Sequence, residues 1–411
     1  MMYEQNASRK AVVSCPEVRL AQRQIKSYAR MVLAATVLLV LHGCGGGGGD
    51  APQGIAPLPP AVAGPLPPVT PLQVSDSSYK NFKSVGLTPQ VLPPGFGVHT
   101  TRGYADFSRS GRLDLFTASL TYSPTNPVGQ ATPSRFEFWL KQSDGSFVKD
   151  TTMLASSVGC IHPRKAVVAD FNNDGRPDVF VACHGYDAVP FPGERNKIVL
   201  SQPGGVYVTQ DAAADVGFFH SAAAADLNGD GFVDVVVANN KDPTSVYAFL
   251  NNGSGGFQRE ATGRIPLSVG GKNYFTVELA DIDEDGKFDL LLGGHEWEGA
   301  STVAFINPGN NNFSAAAPTV LPALAGEGVV LDFTLTGTGA GRTIWILRTS
   351  GGDGTFYQSR VVQKVGWPGL VSSTVLNQRP ALWIPWLIPA LAAGQSVIVS
   401  DNAGDGVSLP Q

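Results

Sequence analysis

Four stretches of this chain repeat one another: YADFSRSGRLDLFTA at 104–118, VADFNNDGRPDVFVA at 168–182, AADLNGDGFVDVVVA at 224–238 and LADIDEDGKFDLLLG at 279–293. Their first aspartates, Asp106, Asp170, Asp226 and Asp281, stand 64, 56 and 55 residues apart, and an eroded fifth copy is expected to begin at Asp332. A second pattern follows each, an apolar run and a Gly-rich turn ending on an aromatic, as in EFWLKQSDGSF at 137–147, IVLSQPGGVY at 198–207, YAFLNNGSGGF at 247–257 and VAFINPGNNNF at 303–313. A fixed period of this size means stacked copies of one supersecondary unit. Runs such as VFVA and VVVA are too β-branched and too short for helices, so each unit is several short strands.

The turn inside each repeat carries chemistry. In the second copy Asp170, Asn172 and Asp174 place side-chain oxygens at alternate positions, Gly175 permits a positive φ, Arg176 offers its carbonyl and Asp178 closes the set. Hard Ca²⁺ takes about 6–8 oxygens, and this order is what a chain wrapped around such an ion supplies. The third copy repeats it with Asp226, Asn228, Asp230, the carbonyl of Phe232 and Asp234, and the fourth with Asp281, Asp283, Asp285, the carbonyl of Lys287 and Asp289. With four carboxylates the fourth is expected to bind most strongly. Ser108 and Ser110 leave the first copy only Asp106 and Asp114, so it is expected to be weak or empty. A helix-flanked EF-hand is excluded, because position twelve, which needs an acid, is Val181, Val237 or Leu292. The remaining alternative is an Asp/Asn/Gly turn without an ion.

Residues of the form DxNxDGxxD between apolar strands, followed by a strand ending in NxGxGxF, resemble the FG-GAP or VCBS repeat of integrin α-subunit propellers and bacterial surface proteins. The resemblance runs over roughly residues 80–360. It implies an all-β fold, a β-propeller of four-stranded blades, with Ca²⁺ in the hairpin between the inner strands. The ligand positions it implies coincide with the residues named above. At about 55 residues per blade, residues 79–411 are expected to give six or seven blades. Tyr79 to Phe82 would complete the last one, and ALWIPWLIPALAA at 381–393, broken by Pro385 and Pro389, would be a last outer strand.

The N-terminal part differs in kind. Residues 1–30 are basic, and ten apolar residues from Val32 to Leu41 precede His42-Gly43-Cys44. A bilayer span needs roughly 20 apolar residues, so residues 1–44 read as an export signal. Leu41 to Cys44 resembles a bacterial lipoprotein box, which implies lipidation of Cys44; a plainly cleaved signal is the alternative. Residues 45–78, rich in Gly and Pro, form a linker without helix or sheet. The expected location is the cell envelope, as an outer-membrane or surface lipoprotein, with secretion or the periplasm as alternatives.

In a hairpin whose turn is the metal loop, the far strand ends share one rim. His99, His162 and His220 precede the first loop aspartate by six to eight residues, and His184 and His295 follow the last by six. With Arg164 and Glu296 they form the expected ligand-binding face, opposite the metal. Cys160 and Cys183 flank the same hairpin, in an exported chain where disulfides persist, and are expected to pair, two separate buried thiols being the alternative.

Lys plus Arg is 29 against 34 for Asp plus Glu, a net charge of −5, which leaves no basic footprint for nucleic acid. Nucleophile-elbow, zinc-hydrolase, CxxC and P-loop motifs are absent from the sequence. The expected function is a non-catalytic binding or adhesion module for a protein or surface glycan, membrane-held through its lipid anchor. The alternative is a polysaccharide lyase or hydrolase using His162, His184 and Glu296 as acid and base.

Overall fold

A computed structural model of the chain describes residues 101–119, 121 and 126–379 and three further strands between 386 and 410. The expected export signal, Cys44, the linker, Tyr79 to Phe82 and His99 lie outside the described residues. What is described belongs to one compact unit, Ala63–Gln411.

Among the described residues five four-stranded antiparallel sheets follow one another, each in simple sequential order. The first holds β1 (Thr101–Ala105), β2 (Asp114–Ala118), β3 (Phe136–Lys141) and β4 (Phe147–Lys149), and the second β5 (Pro163–Ala169), β6 (Asp178–Cys183), β7 (Lys197–Ser201) and β8 (Tyr207–Asp211). The third holds β9 (Phe219–Ala225), β10 (Asp234–Asn239), β11 (Val246–Asn251) and β12 (Phe257–Arg259). The fourth holds β13 (Tyr274–Ala280), β14 (Asp289–Gly294), β15 (Val303–Phe305) and β16 (Pro318–Val320), and the fifth β17 (Val329–Thr336), β18 (Thr343–Thr349), β19 (Arg360–Gly366) and β20 (Ser372–Gln378). The first strands of successive sheets lie side by side, which makes the sheets blades of a propeller.

The expected count of six or seven blades is corrected to five four-stranded blades. The C-terminal residues form a three-stranded sheet instead, β21 (Trp386–Ala390), β22 (Ser396–Ser400) and β23 (Gly406–Pro410). Its β21 lies beside β17, so the apolar stretch around Pro389 supplies the strand nearest the preceding blade and not an outer one.

The second strand of each blade explains how the blades stack. Successive side chains of a strand point to opposite faces, so a strand covered on both sides must be apolar throughout. In β6, Val179, Val181 and Cys183 join the core shared with the first blade, while Phe180 and Ala182 join the core shared with the third. In β10, Val235 and Val237 face the second blade, and Val236 and Ala238 face the fourth. Leu290 and Leu292 of β14 face the third blade and Leu291 the fifth. Outer strands such as β4 are short and largely exposed.

All four motif-bearing hairpins share one register, Ala105 opposite Asp114, Ala169 opposite Asp178, Ala225 opposite Asp234 and Ala280 opposite Asp289. In the fifth blade Thr336 pairs with Thr343 over a shorter turn. Asp332 is a buried residue within β17 and does not begin a loop, so the eroded fifth copy is not a metal hairpin. A disulfide joins Cys160 to Cys183, with Cα atoms 6.0 Å apart, and ties the approach to β5 onto the end of β6.

One buried ion pair reaches across a blade. Lys165 Nζ of β5 lies 3.2 Å from Glu278 Oε2 of β13 and donates to the Val277 carbonyl at 3.2 Å. The strand between them, β9, carries only small side chains from Ser221 to Ala225, which leaves room for the pair. Removing one partner of such a pair leaves an uncompensated buried charge and costs about 3–5 kcal/mol, whereas replacing both by apolar groups is often neutral. Glu278→Leu is therefore expected to lower the unfolding free energy by about that amount and Lys165→Met/Glu278→Leu to restore most of it, measured by denaturant titration. Equal losses in both variants would contradict a net role for the charge pair.

Candidate functional site

The acidic loops occupy one end of the hairpins. In every copy the ninth-position aspartate, the first residue of the second strand, is fully buried. Asp178 Oδ2 accepts from the Phe171 and Asn172 amides at 2.8 and 3.1 Å, while its Oδ1 accepts from the Ser201 amide at 2.7 Å. Asp234 takes the Leu227 and Asn251 amides at 3.0 and 2.8 Å, and Asp289 those of Ile282 and Asn307 at 2.7 and 2.8 Å. Asp114 in the degenerate first loop does the same with Ser108 and Lys141, both at 2.9 Å. The carboxylate thus fastens the turn to the third strand, which explains why the two recurring sequence patterns travel together.

The remaining loop oxygens fold the turn around itself. Asp170 accepts from the Asp174 and Gly175 amides at 3.0 and 2.7 Å, and Asp174 Oδ1 from the Arg176 amide at 3.0 Å. Such a tight reversal needs left-handed backbone at the fourth and sixth positions, seen as φ of 59° at Asn173 and 77° at Gly175. In the fourth loop the ligating atoms of Asp281, Asp283 and Asp285 all lie within 4.8 Å of one another. That span suits oxygens on opposite sides of a Ca²⁺ ion with bonds of about 2.3–2.6 Å. Asp281 Oδ1 is buried without a hydrogen-bond partner, so this donor set fits a hard cation. Lys287 Nζ, 2.5 Å from Asp285 Oδ2, brings a positive charge to these carboxylates.

The loops are also joints between blades. Asn251 Nδ2 donates to the Phe171 carbonyl of the preceding blade at 2.8 Å, and Asn311 Nδ2 to that of Asp226 at 3.0 Å. Arg264 Nη1 holds the Leu227 carbonyl at 2.7 Å, Tyr207 Oη donates to Phe107 at 3.3 Å, and Arg342 reaches the Asp281 carbonyl.

At the opposite end His162, His184, His220 and His295 share the expected rim, and they form a chain of rings. His162 and His184 have centroids 5.1 Å apart, and His184 stacks on Phe218 at 4.4 Å and meets His220 edge-on at 4.5 Å. His220 contacts Phe275 at 4.2 Å, Phe275 stacks on His295 at 4.2 Å, and His295 on Trp297 at 4.3 Å. Phe356 continues the series 5.6 Å from Trp297, so the arc spans the second to fifth blades. Polar groups edge it: Arg164 Nη1 donates to His162 Nε2 at 3.3 Å, and His295 pairs with Glu298 at 2.9 Å and with the Tyr357 hydroxyl at 3.2 Å. Burial pushes His184 down to about 4, opposed by Asp187 and reinforced by Arg164. It also lowers His220, with His184 and Arg164 adding to the effect.

Glu296 does not join this arc. Its carboxylate pairs with the buried Arg348 at 3.0 Å and accepts from Thr302 at 2.5 Å. Of the three groups weighed as acid and base, the structure brings His162 and His184 together and leaves Glu296 apart. Asp187, Tyr357, Phe218 and Phe275 were missed. Phe218 and Phe275 sit near the strand starts that carry the histidines, which was a legible signal; Asp187 and Tyr357 lie on inter-strand loops whose course no local pattern discloses.

Fold and site together define a β-propeller with acidic hairpin loops at one end and an arc of histidines and aromatics at the other. Residues 106–181 and 195–292 match the family model described as FG-GAP-like repeat. The chain is a β-propeller, and within it these two stretches are similar to FG-GAP-like repeats. Integrin alpha-PS5 of Drosophila melanogaster is 37% identical over 84 residues, covering 18% of this chain and 8% of the fly protein. Integrin alpha-PS3 of the same organism is 34% identical over 103 residues, 23% of this chain and 9% of that protein. The match thus spans under a tenth of either integrin's length. Among solved structures, Saccharomyces cerevisiae Sqt1 aligns at a TM-score of 0.42 and 9% identity, over 82% of this chain and 96% of that one. Rhamnogalacturonan lyase YesW aligns at 0.38 and 12%, over 76% and 57%.

Burial pushes the carboxyls of Asp178, Asp234 and Asp289 from an ordinary 3.8 up to about 7, against backbone amides that favour the anion. Without a cation the folded state therefore holds protons that the unfolded chain releases above about pH 4. Stability from this source is complete below that value and is lost as pH rises through about 7. Asn cannot titrate, so in chelator the melting temperature of the parent relative to Asp234→Asn is expected to fall between about pH 5 and 8, and excess Ca²⁺ to abolish that fall. A difference that does not change with pH in chelator would contradict the buried-charge account.

Proposed function

We propose that this chain is an exported, lipid-anchored recognition module: a propeller stiffened by Ca²⁺ at one end that binds a protein or surface glycan with the other. The observation carrying this reading is the continuous arc of rings across four blades, edged by Arg164, Glu298 and Tyr357. Aromatic faces with a few placed polar groups are what recognition of sugars or side chains needs, because rings give contact area at low entropic cost and polar groups fix orientation.

Calcium would be held by Asp170, Asn172, Asp174, Asp178 and the Arg176 carbonyl in the second blade. Asp226, Asn228, Asp230, Asp234 and the Phe232 carbonyl would hold it in the third, and Asp281, Asp283, Asp285, Asp289 and the Lys287 carbonyl in the fourth. Bound there, the ion neutralises converging carboxylates in turns already fastened to neighbouring blades, so it stiffens the wheel. Anchoring through Cys44 and the linker would hold the head away from the membrane surface.

A second reading, an enzyme of polysaccharides, is favoured by the convergence of His162 and His184. It differs in outcome: product must appear on incubation with acidic or neutral polysaccharides and vanish in His184→Ala.

The recognition reading is tested by a glycan and envelope-protein binding screen with and without chelator. Chelation is expected to lower the melting temperature and weaken binding together. Trp297→Ala and His162→Ala/Arg164→Ala are expected to weaken binding by about tenfold or more, in the range of lost interface anchors. Undiminished binding by both variants would remove this face from the account.

A further inference from the structure

The rim of the second blade contains a donor set that recognition of a sugar or peptide does not require. His162, His184 and Asp187 each place a ligand atom within 4.8 Å of the other two, the two imidazoles buried and the carboxylate exposed. We propose that these three residues form a binding site for a borderline first-row divalent cation, Zn²⁺ being the best match, distinct from the Ca²⁺ loops at the other end of the hairpins. The proposal does not depend on the recognition reading.

The donor chemistry decides the class of ion. Ca²⁺ and Mg²⁺ prefer all-oxygen sets, whereas two imidazoles and one carboxylate suit zinc and its neighbours, usually with a further position open to water or ligand. Ligand atoms around a tetrahedral ion with bonds of about 2.0–2.1 Å lie about 3.3 Å apart. Asp187 is exposed, so of the three side chains it is the one least held by packing.

Local structure presents these donors. His184 follows the end of its strand and its Nδ1 lies 3.4 Å from the Gly185 carbonyl, so with a proton on Nδ1 its Nε2 lone pair would be left for a metal. Gly185 has a φ of 80°, and a Cβ there would meet the Gly193 backbone at 2.5 Å. Only glycine permits that reversal, and the reversal returns Asp187 over His184 three residues later. The disulfide between Cys160 and Cys183 fixes both imidazoles from behind, each histidine standing one or two residues from a bridged cysteine.

Arg164 is the competing group. Its Nη1 can only donate, and it does so to His162 Nε2, occupying a lone pair that a metal would use and adding a positive charge. Arg164→Gln is thus expected to strengthen metal binding, an effect a merely structural role for the cluster does not produce.

The test is titration of the full chain, freed of metal by chelator and returned to excess Ca²⁺ to keep the acidic loops filled, with Zn²⁺ by calorimetry and Co²⁺ by visible absorption. One ion per chain is expected. His184→Ala and Asp187→Asn should each weaken it by at least about tenfold, and Arg164→Gln should tighten it several-fold. Asp187 is exposed, so its variant keeps the test valid if His184→Ala fails to fold. Absence of a stoichiometric site, or a site indifferent to Asp187→Asn and Arg164→Gln, would overturn the proposal.

Discussion

The fold rests on a carboxylate buried at the base of a turn. In each of four blades it accepts one or two amides from its own loop and one from the end of the third strand or the turn just after it. Without it those amides would be buried and unpaired, at about 1–3 kcal/mol each. That Asp114 makes the same bonds in a loop short of metal donors separates two roles that the repeat motif combines. The ninth position fastens the turn within the blade, and the other acidic positions are the ones that would hold a cation on the proposed reading.

The cost of this arrangement is electrostatic. A carboxylate removed from water prefers its proton, and further carboxylates in the same turn worsen the conflict. On the proposed reading a divalent cation would resolve it locally, and because Asn251, Asn311, Arg264 and Arg342 tie the loops to neighbouring blades, that local effect would stiffen the propeller. The fifth blade avoids the conflict, with Thr343 where the others carry aspartate and a shorter Gly-rich turn.

Much of this was legible in the sequence because its cause is local. The unbroken apolar runs VFVA and VVVA dictate strands, and DxNxDGxxD dictates a tight acidic turn, so the hairpins and the histidine rim followed. The blade count did not, since dividing residues 79–411 by one period assumes that the tail repeats, and Ser396–Ser400 and its neighbours build only three strands. Asp332 misled because an aspartate after apolar residues also fits a buried strand position. Glu296 was placed on the rim by spacing alone, yet the buried Arg348 draws its carboxylate into the joint between the fourth and fifth blades. Asp187 and Tyr357 escaped because long loops bring them to His184 and His295, and loop paths are tertiary facts.

Hydrogen exchange at the turn amides addresses the central claim most directly. The amides of Ser201, Asn251 and Asn307, which donate to the buried aspartates, should be among the slowest to exchange even in chelator, and those of Asp174, Gly231 and Gly286 should gain protection when Ca²⁺ is added. Exchange of the first group at the rate of exposed amides, or no change in the second on adding Ca²⁺, would contradict a wheel held by buried carboxylates and stiffened by cations.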